Sequence, residues 1–183
     1  MEEQPGRPMS TAALEVTIAR ADERAALANM MQLYVHDFGE LWSRAPPGEL
    51  QADGRYAEYP LGDYWREKDH VPLLFRLGGH LIGFALVNAY AHSGLAVDRS
   101  MAEFFVVRAH RRGGAGTIAA RAIFSMYPGL WETAVTRRNV GALPFWRHAI
   151  QGHENVEAIE ERDYATPDWN GPIIRFRIKP VID

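Results

Sequence analysis

The run Arg111-Arg112-Gly113-Gly114-Ala115-Gly116-Thr117 carries the plainest chemistry in this chain. It follows an apolar stretch that reads as a strand and precedes one that reads as a helix. A loop of this kind aims several backbone N–H groups at one point, and the helix dipole adds partial positive charge there. Glycines let a bulky anion approach the backbone, and two arginines add charge-assisted hydrogen bonds to phosphate oxygens. A pyrophosphate is the ligand that suits this loop. A P-loop is excluded, because Thr117-Ile118 stands where Lys-Ser/Thr is required. The stretch Gly114 to Ala119 formally matches G-x-G-x-x-A. The acid that a dinucleotide site would need, Glu132, falls at the start of the next strand rather than its end, and too little chain remains for a doubly wound sheet.

Around this loop the chain resembles the Gcn5-related N-acetyltransferase (GNAT) superfamily. Arg111, Gly114 and Gly116 fill that family's Arg/Gln-x-x-Gly-x-Gly/Ala pattern. Asn139, Ala142, Phe145 and Trp146 stand at the spacing of its Asn-x-x-Ala-x-x-Phe-Tyr motif after the next strand. The resemblance implies acetyl-CoA or coenzyme A as co-substrate; no metal is expected, since no His/Asp/Glu cluster has metal-ligand spacing. It implies pantetheine lying against the backbone of Phe104, Phe105 and Val106, in a gap opened by a bulge between two central strands. An N–H near Phe104 would polarise the thioester carbonyl. The pyrophosphate would rest on Arg111, Arg112, Gly113, Gly114, Ala115, Gly116 and Thr117. Asn139 would bond the pantetheine arm, and Trp146 would border it. Trp146 occupies the place of a tyrosine that often protonates the leaving thiolate, which an indole N–H cannot do.

Glu103 is the one acid in its apolar strand and the candidate base for the incoming amine. The segment Ala102 to Val106 resembles the matching strand of diamine acetyltransferases, with Ala102 replacing the first of two acids. Strand alternation would turn Glu103 away from the site unless the bulge reorients it. The structural alternative is an ion pair with a residue such as Arg137. His110 reads as a packing or phosphate-edge residue. Trp42, Tyr64 and Trp65 could wall an acceptor pocket, although packing is the simpler role for each.

These residues need a scaffold. Glu15 to Arg20 alternates as a first strand. Asp22 reads as the N-cap of a helix carrying Leu27, Met30, Met31, Tyr34, Val35 and Phe38 at helical spacing and ending near Gly39. Val71 to Leu77 and His80 to Tyr90, joined by Gly78-Gly79, form a hairpin. Met101 to Val107 is a central strand, Thr117 to Tyr127 a helix, and Leu130 to Thr136 a strand. The next helix is expected to start at about Gly141, or to kink, because Pro144 removes a helix hydrogen bond. Asn155 to Asp163 and Ile173 to Lys179 are late strands. The expected fold is α/β (α+β): a GNAT-like, mostly antiparallel sheet of six to seven strands, with a splayed central pair and about four helices.

Residues 1–11 read as a disordered tail and 12–183 as a single acyl-CoA N-acyltransferase-like domain. The chain has no cysteine, which excludes disulfides and a thiol nucleophile and fits a cytoplasmic protein. The net charge is −3, yet residues 98–147 hold 8 arginines against 3 acids, which suits a local anionic ligand more than a nucleic acid. No apolar run is long enough to cross a membrane. The expected partner is a small-molecule or peptide amine. Ile173 to Lys179, read as an edge strand, could pair with a second copy in a homodimer. The resemblance supports two functions: acetyl transfer from acetyl-CoA to a primary amine by direct attack in a ternary complex, or a non-catalytic acyl-CoA-binding sensor or interaction module on the same fold.

Overall fold

The computed structural model describes residues 13–39 and 49–181; the expected tail and Trp42 lie outside them. Seven strands form one sheet: β1 (Leu14–Ile18), β2 (Val71–Leu77), β3 (His80–Asn88), β4 (Arg99–Val106), β5 (Gly129–Ala134), β6 (Val156–Ala165) and β7 (Asn170–Ile178). Their spatial order is β1-β2-β3-β4-β5-β7-β6. Every neighbouring pair is antiparallel except β4 and β5. Among the described residues there are three α-helices rather than four: α1 (Arg24–Phe38), α2 (Ala115–Met126) and α3 (Ala142–Gln151). A short 3₁₀ turn spans Gly62–Trp65.

The local signals explain most boundaries. Asp22 falls inside a 3₁₀ turn that leads into α1, and α1 stops at Gly39 as its pattern implies. The helix α3 begins one residue after Gly141, so Pro144 sits in its first turn. N–H groups there have no intrahelical acceptor, so the missing donor costs nothing.

The sheet carries a core on each face. On one, α2 and α3 cover Phe75, Val87, Trp131 and Phe176. Phe124 of α2 meets Trp131 and Phe176 edge-on, with centroids 5.1 and 5.0 Å apart. Each such fully buried ring contributes on the order of 1.5–3 kcal/mol by leaving water. On the other face, α1 lays Leu27, Met31, Tyr34 and Val35 on Leu74, Phe84, Leu86 and Phe105.

One placement corrects the sequence reading. The strand β7 is not an edge: it pairs with β5 on one side and β6 on the other. The outer strand is β6, which is largely exposed, rich in acids and bulged between Glu157 and Glu160. A bulged, charged edge resists pairing with another chain. Among the described residues no helix is long and apolar enough to cross a membrane.

Candidate active site

The parallel pair β4 and β5 is joined only at Arg99–Trp131 and Ser100–Glu132. Beyond these residues the strands part, while β4 stays paired with β3 up to Val106. Glu132 marks the point of divergence. It is buried, accepts from the amide and hydroxyl of Ser93, and pairs with Arg175 at 3.2 Å. This network fastens the β3–β4 connector to β5 and β7.

The gap has polar edges. Val107 donates its amide to Ile82 of β3 at 2.8 Å. Successive amides along a strand point to opposite edges, so those of Phe104 and Val106 face the gap. A cleft of about 950 Å³ opens there. Residues 101–106 of β4 line one wall and residues 133–136 the other, with Tyr34 and Phe38 of α1 and Phe145 and Trp146 of α3 at its sides.

At one end of the cleft lies the loop before α2. Arg112 has φ 63° and Gly114 φ 85°, the latter a left-handed conformation that suits a residue without Cβ. The first α2 hydrogen bond runs from Ile118 to the carbonyl of Gly114. The amides of Ala115, Gly116 and Thr117 therefore have no acceptor within the helix. A Cβ added at Gly113 or Gly114 would meet open space, whereas at Gly116 it would lie 3.3 Å from the Phe145 ring. Gly113 and Gly114 thus leave room for a bulky anion, and Gly116 lets α2 approach α3. Arg112, Gly114, Gly116 and Thr117 line the cleft; Gly113 and Ala115 do not. This loop has the free amides and the open space to hold a bulky anion.

Arg111 also borders the cleft, but its side chain is committed elsewhere. Its guanidinium pairs with Asp37 of α1, its Nε donates to the carbonyl of Val106 at 2.6 Å, and it lies over the Phe105 ring. Arg112 has no such partner among the described residues and is exposed. Asn139 lines the cleft from the turn before α3, its amide bonded to the carbonyl of Thr136 at 2.9 Å. It precedes Gly141, the N-cap of α3, and so does not cap that helix. Trp146 is buried against Phe104, with centroids 5.1 Å apart, and forms part of the wall.

Glu103 stands at the other end. Leu86 faces Glu103 and Val87 faces Met101, so Ala102 is an extra, unpaired residue in β4. This bulge breaks the alternation: Ala102 and Glu103 both turn toward α1. Tyr34 donates its hydroxyl to Oε2 of Glu103, and Tyr59 donates to Oε1 at 2.9 Å. Burial pushes the carboxyl above the ordinary glutamate range, and the two phenol hydrogen bonds only partly offset it. Burial and the neighbouring carboxylate push both phenols far up, so they remain donors. Arg137, the alternative partner, is bonded instead to Asp163 at 2.8 Å and Asn170.

Three features of the site escaped the sequence reading. Tyr34 was visible only as a core residue of an amphipathic helix. Tyr59 lies only a few residues before Tyr64 and Trp65, which were named as wall residues in its place. Tyr64 is buried and accepts from Asn88 at 3.2 Å, and Trp65 carries Arg24 over its ring at 5.3 Å. The third is the His92–Trp169 pair, in tilted ring contact with centroids 4.1 Å apart and lining the cleft. No short motif announces that contact. Among the described residues no group of three His, Asp or Glu side chains could hold a metal ion.

Comparison with known proteins agrees with this geometry. No curated protein matches the chain. Among solved structures, the aminoglycoside acetyltransferase AAC(6')-Ib in complex with coenzyme A and kanamycin is 14% identical, with TM-score 0.57, covering 91% of this chain and 95% of its own. A GNAT-family acetyltransferase from Streptococcus pneumoniae is 14% identical, with TM-score 0.54 and coverages of 91% and 99%. The ribosomal-protein-S18-alanine N-acetyltransferase from Escherichia coli is 10% identical, with TM-score 0.52 and coverages of 91% and 93%. At these identities the likeness is one of fold. Residues 27–150, the stretch that holds the parted strands, the glycine loop and Glu103, match the acetyltransferase (GNAT) family, and to that family the chain belongs.

Proposed function

We propose that this protein transfers an acetyl group from acetyl-CoA to a primary amine by direct attack in a ternary complex. The observation that carries this reading is the open edge of β4, with amide groups facing a cleft that ends in a glycine loop on one side and Glu103 on the other. The amides at the start of α2 and the Arg112 side chain hold the pyrophosphate. The amides of Phe104 and Val106 hold the pantetheine arm, and one of them polarises the thioester carbonyl as an oxyanion hole does.

Glu103 accepts a proton from the incoming ammonium. The freed nitrogen attacks the thioester carbon, an N–C bond forms, and the C–S bond breaks. Coenzyme A leaves as thiolate, and the second proton of the nitrogen passes through solvent to it, giving the amide and the free thiol. Its thiol pKa, roughly 8.5 by analogy with free cysteine, lets it leave without a dedicated acid, so Trp146 in place of a tyrosine does not bar the reaction.

A thermal shift with acetyl-CoA, coenzyme A and NAD tests the first half. A ligand that binds only the folded state raises its melting temperature. A shift with the two CoA species and none with NAD is expected, and Arg112→Ala should diminish it. No shift with either CoA species would overturn the reading. Release of free thiol in the presence of amines then separates a transferase from an acyl-CoA sensor.

A further inference from the structure

The acceptor end of the cleft has an unusual balance of charge and rings. Among the described lining residues Glu103 is the only acid. Two other carboxylates are committed: Asp37 to Arg108 and Arg111, and Glu132 to Arg175 and Ser93. Both arginines of the lining belong to the phosphate end. Tyr34 and Phe38 from α1 line the same cleft as Glu103, and so does the tilted His92–Trp169 pair. Tyr90 meets His92 edge-on at 5.0 Å, so the imidazole is held between two rings. Burial keeps His92 below the usual histidine range, which makes it a neutral ring rather than a cation near neutral pH.

Such a site recognises one ammonium and one flat apolar group. The ammonium is drawn to the single carboxylate and to the negative faces of the rings. Among the described lining residues a second or third ammonium finds no further counter-charge, which disfavours its binding. A ring or other flat apolar body would lie against His92–Trp169 and Phe38. We infer that the acceptor is a small monoamine with an aromatic or apolar body, and not a polyamine or an aminoglycoside. This rests on the transferase reading above and narrows its substrate.

The experiment is thiol release with acetyl-CoA and four amines at equal concentration: 2-phenylethylamine, spermidine, kanamycin and a peptide with a free N-terminus. The expected result is a kcat/KM for 2-phenylethylamine at least about tenfold above the others, a difference of about 1.4 kcal/mol. Trp169→Ala should lower this preference mainly by raising KM for the aryl amine, and Trp169→Phe should restore most of it. The acetyl-CoA thermal shift, retained in both variants, shows that they fold. A higher kcat/KM for spermidine, kanamycin or the peptide overturns the substrate inference and leaves the transferase standing. An acetyl-CoA thermal shift without thiol release from any amine overturns the transferase reading, and this inference with it.

Discussion

Asp37, in the last turn of α1, is bonded to Arg111 and to Arg108, the latter at 2.9 Å. An acid at a helix C-terminus opposes the macrodipole, and here two arginines of the β4–α2 loop offset that cost. The same Arg111 caps the Val106 carbonyl at 2.6 Å. The pair therefore ties the acceptor-side helix to the free edge of β4 and to the loop that receives the phosphates. In Asp37→Asn this tie is lost. We expect a stability loss of about 1 kcal/mol, because Asp37 is largely buried while its partners are partly exposed. Acetyl-CoA affinity should fall about three- to tenfold, the equivalent of roughly 0.7–1.4 kcal/mol. Asp37→Glu should recover part of it, and Arg108→Gln should change little. An unaltered acetyl-CoA dissociation constant in Asp37→Asn, read by calorimetry, would show that Arg111 need not be held.

Glu103 gives a prediction with two signs. As a base it works only when ionised, so kcat/KM should rise with pH through its elevated pKa. Glu103→Gln should remove that limb and cut turnover by roughly 10²–10⁴-fold, with little change in acetyl-CoA affinity. Stability moves the other way. A carboxyl whose folded pKa is raised contributes stability below the unfolded value and loses it as pH rises through the folded value. Ionised Glu103 is therefore a burden above its folded pKa, and Glu103→Gln should melt no lower than the parent there. A variant with full turnover would remove Glu103 from the mechanism.

His153 gives a pH effect far from the cleft. It is buried between α3 and β6. Its Nδ1 accepts the amide of Asn155 at 3.2 Å, which leaves Nε2–H facing the Ser125 hydroxyl at 2.9 Å. Burial lowers its pKa. A histidine with a depressed folded pKa contributes stability in full above its unfolded value, about 6.5, and loses it as pH falls through the folded value. His92 acts with the same sign. The melting temperature should therefore drop as pH is lowered below about 6.5, and His153→Asn should flatten that slope. An equal slope in both proteins would place the effect elsewhere.

Local sequence determined a good deal of this protein. Gly78-Gly79 between two apolar runs specified the β2–β3 hairpin, since its turn depends on adjacent residues. The apolar spacing of α1, the stop at Gly39, the start of α3 beside Gly141 and the loop before α2 were legible for the same reason. So was the family, whose motifs are short and lie on contiguous elements. Tertiary structure decided the rest, because pairing between distant segments leaves no local trace. Tyr34 and Tyr59 reach Glu103 from 69 and 44 residues away. Only the register of β3 on β4 reveals that Ala102 is unpaired and that Glu103 thereby faces α1. Arg111 belongs by motif to the phosphate loop, yet its side chain is drawn to a carboxylate 74 residues earlier. The outer strand is β6 and not β7, because β7 fills the place beside β5. Periodicity reports which face of an element is buried; which partner buries it is settled only when the chain closes on itself.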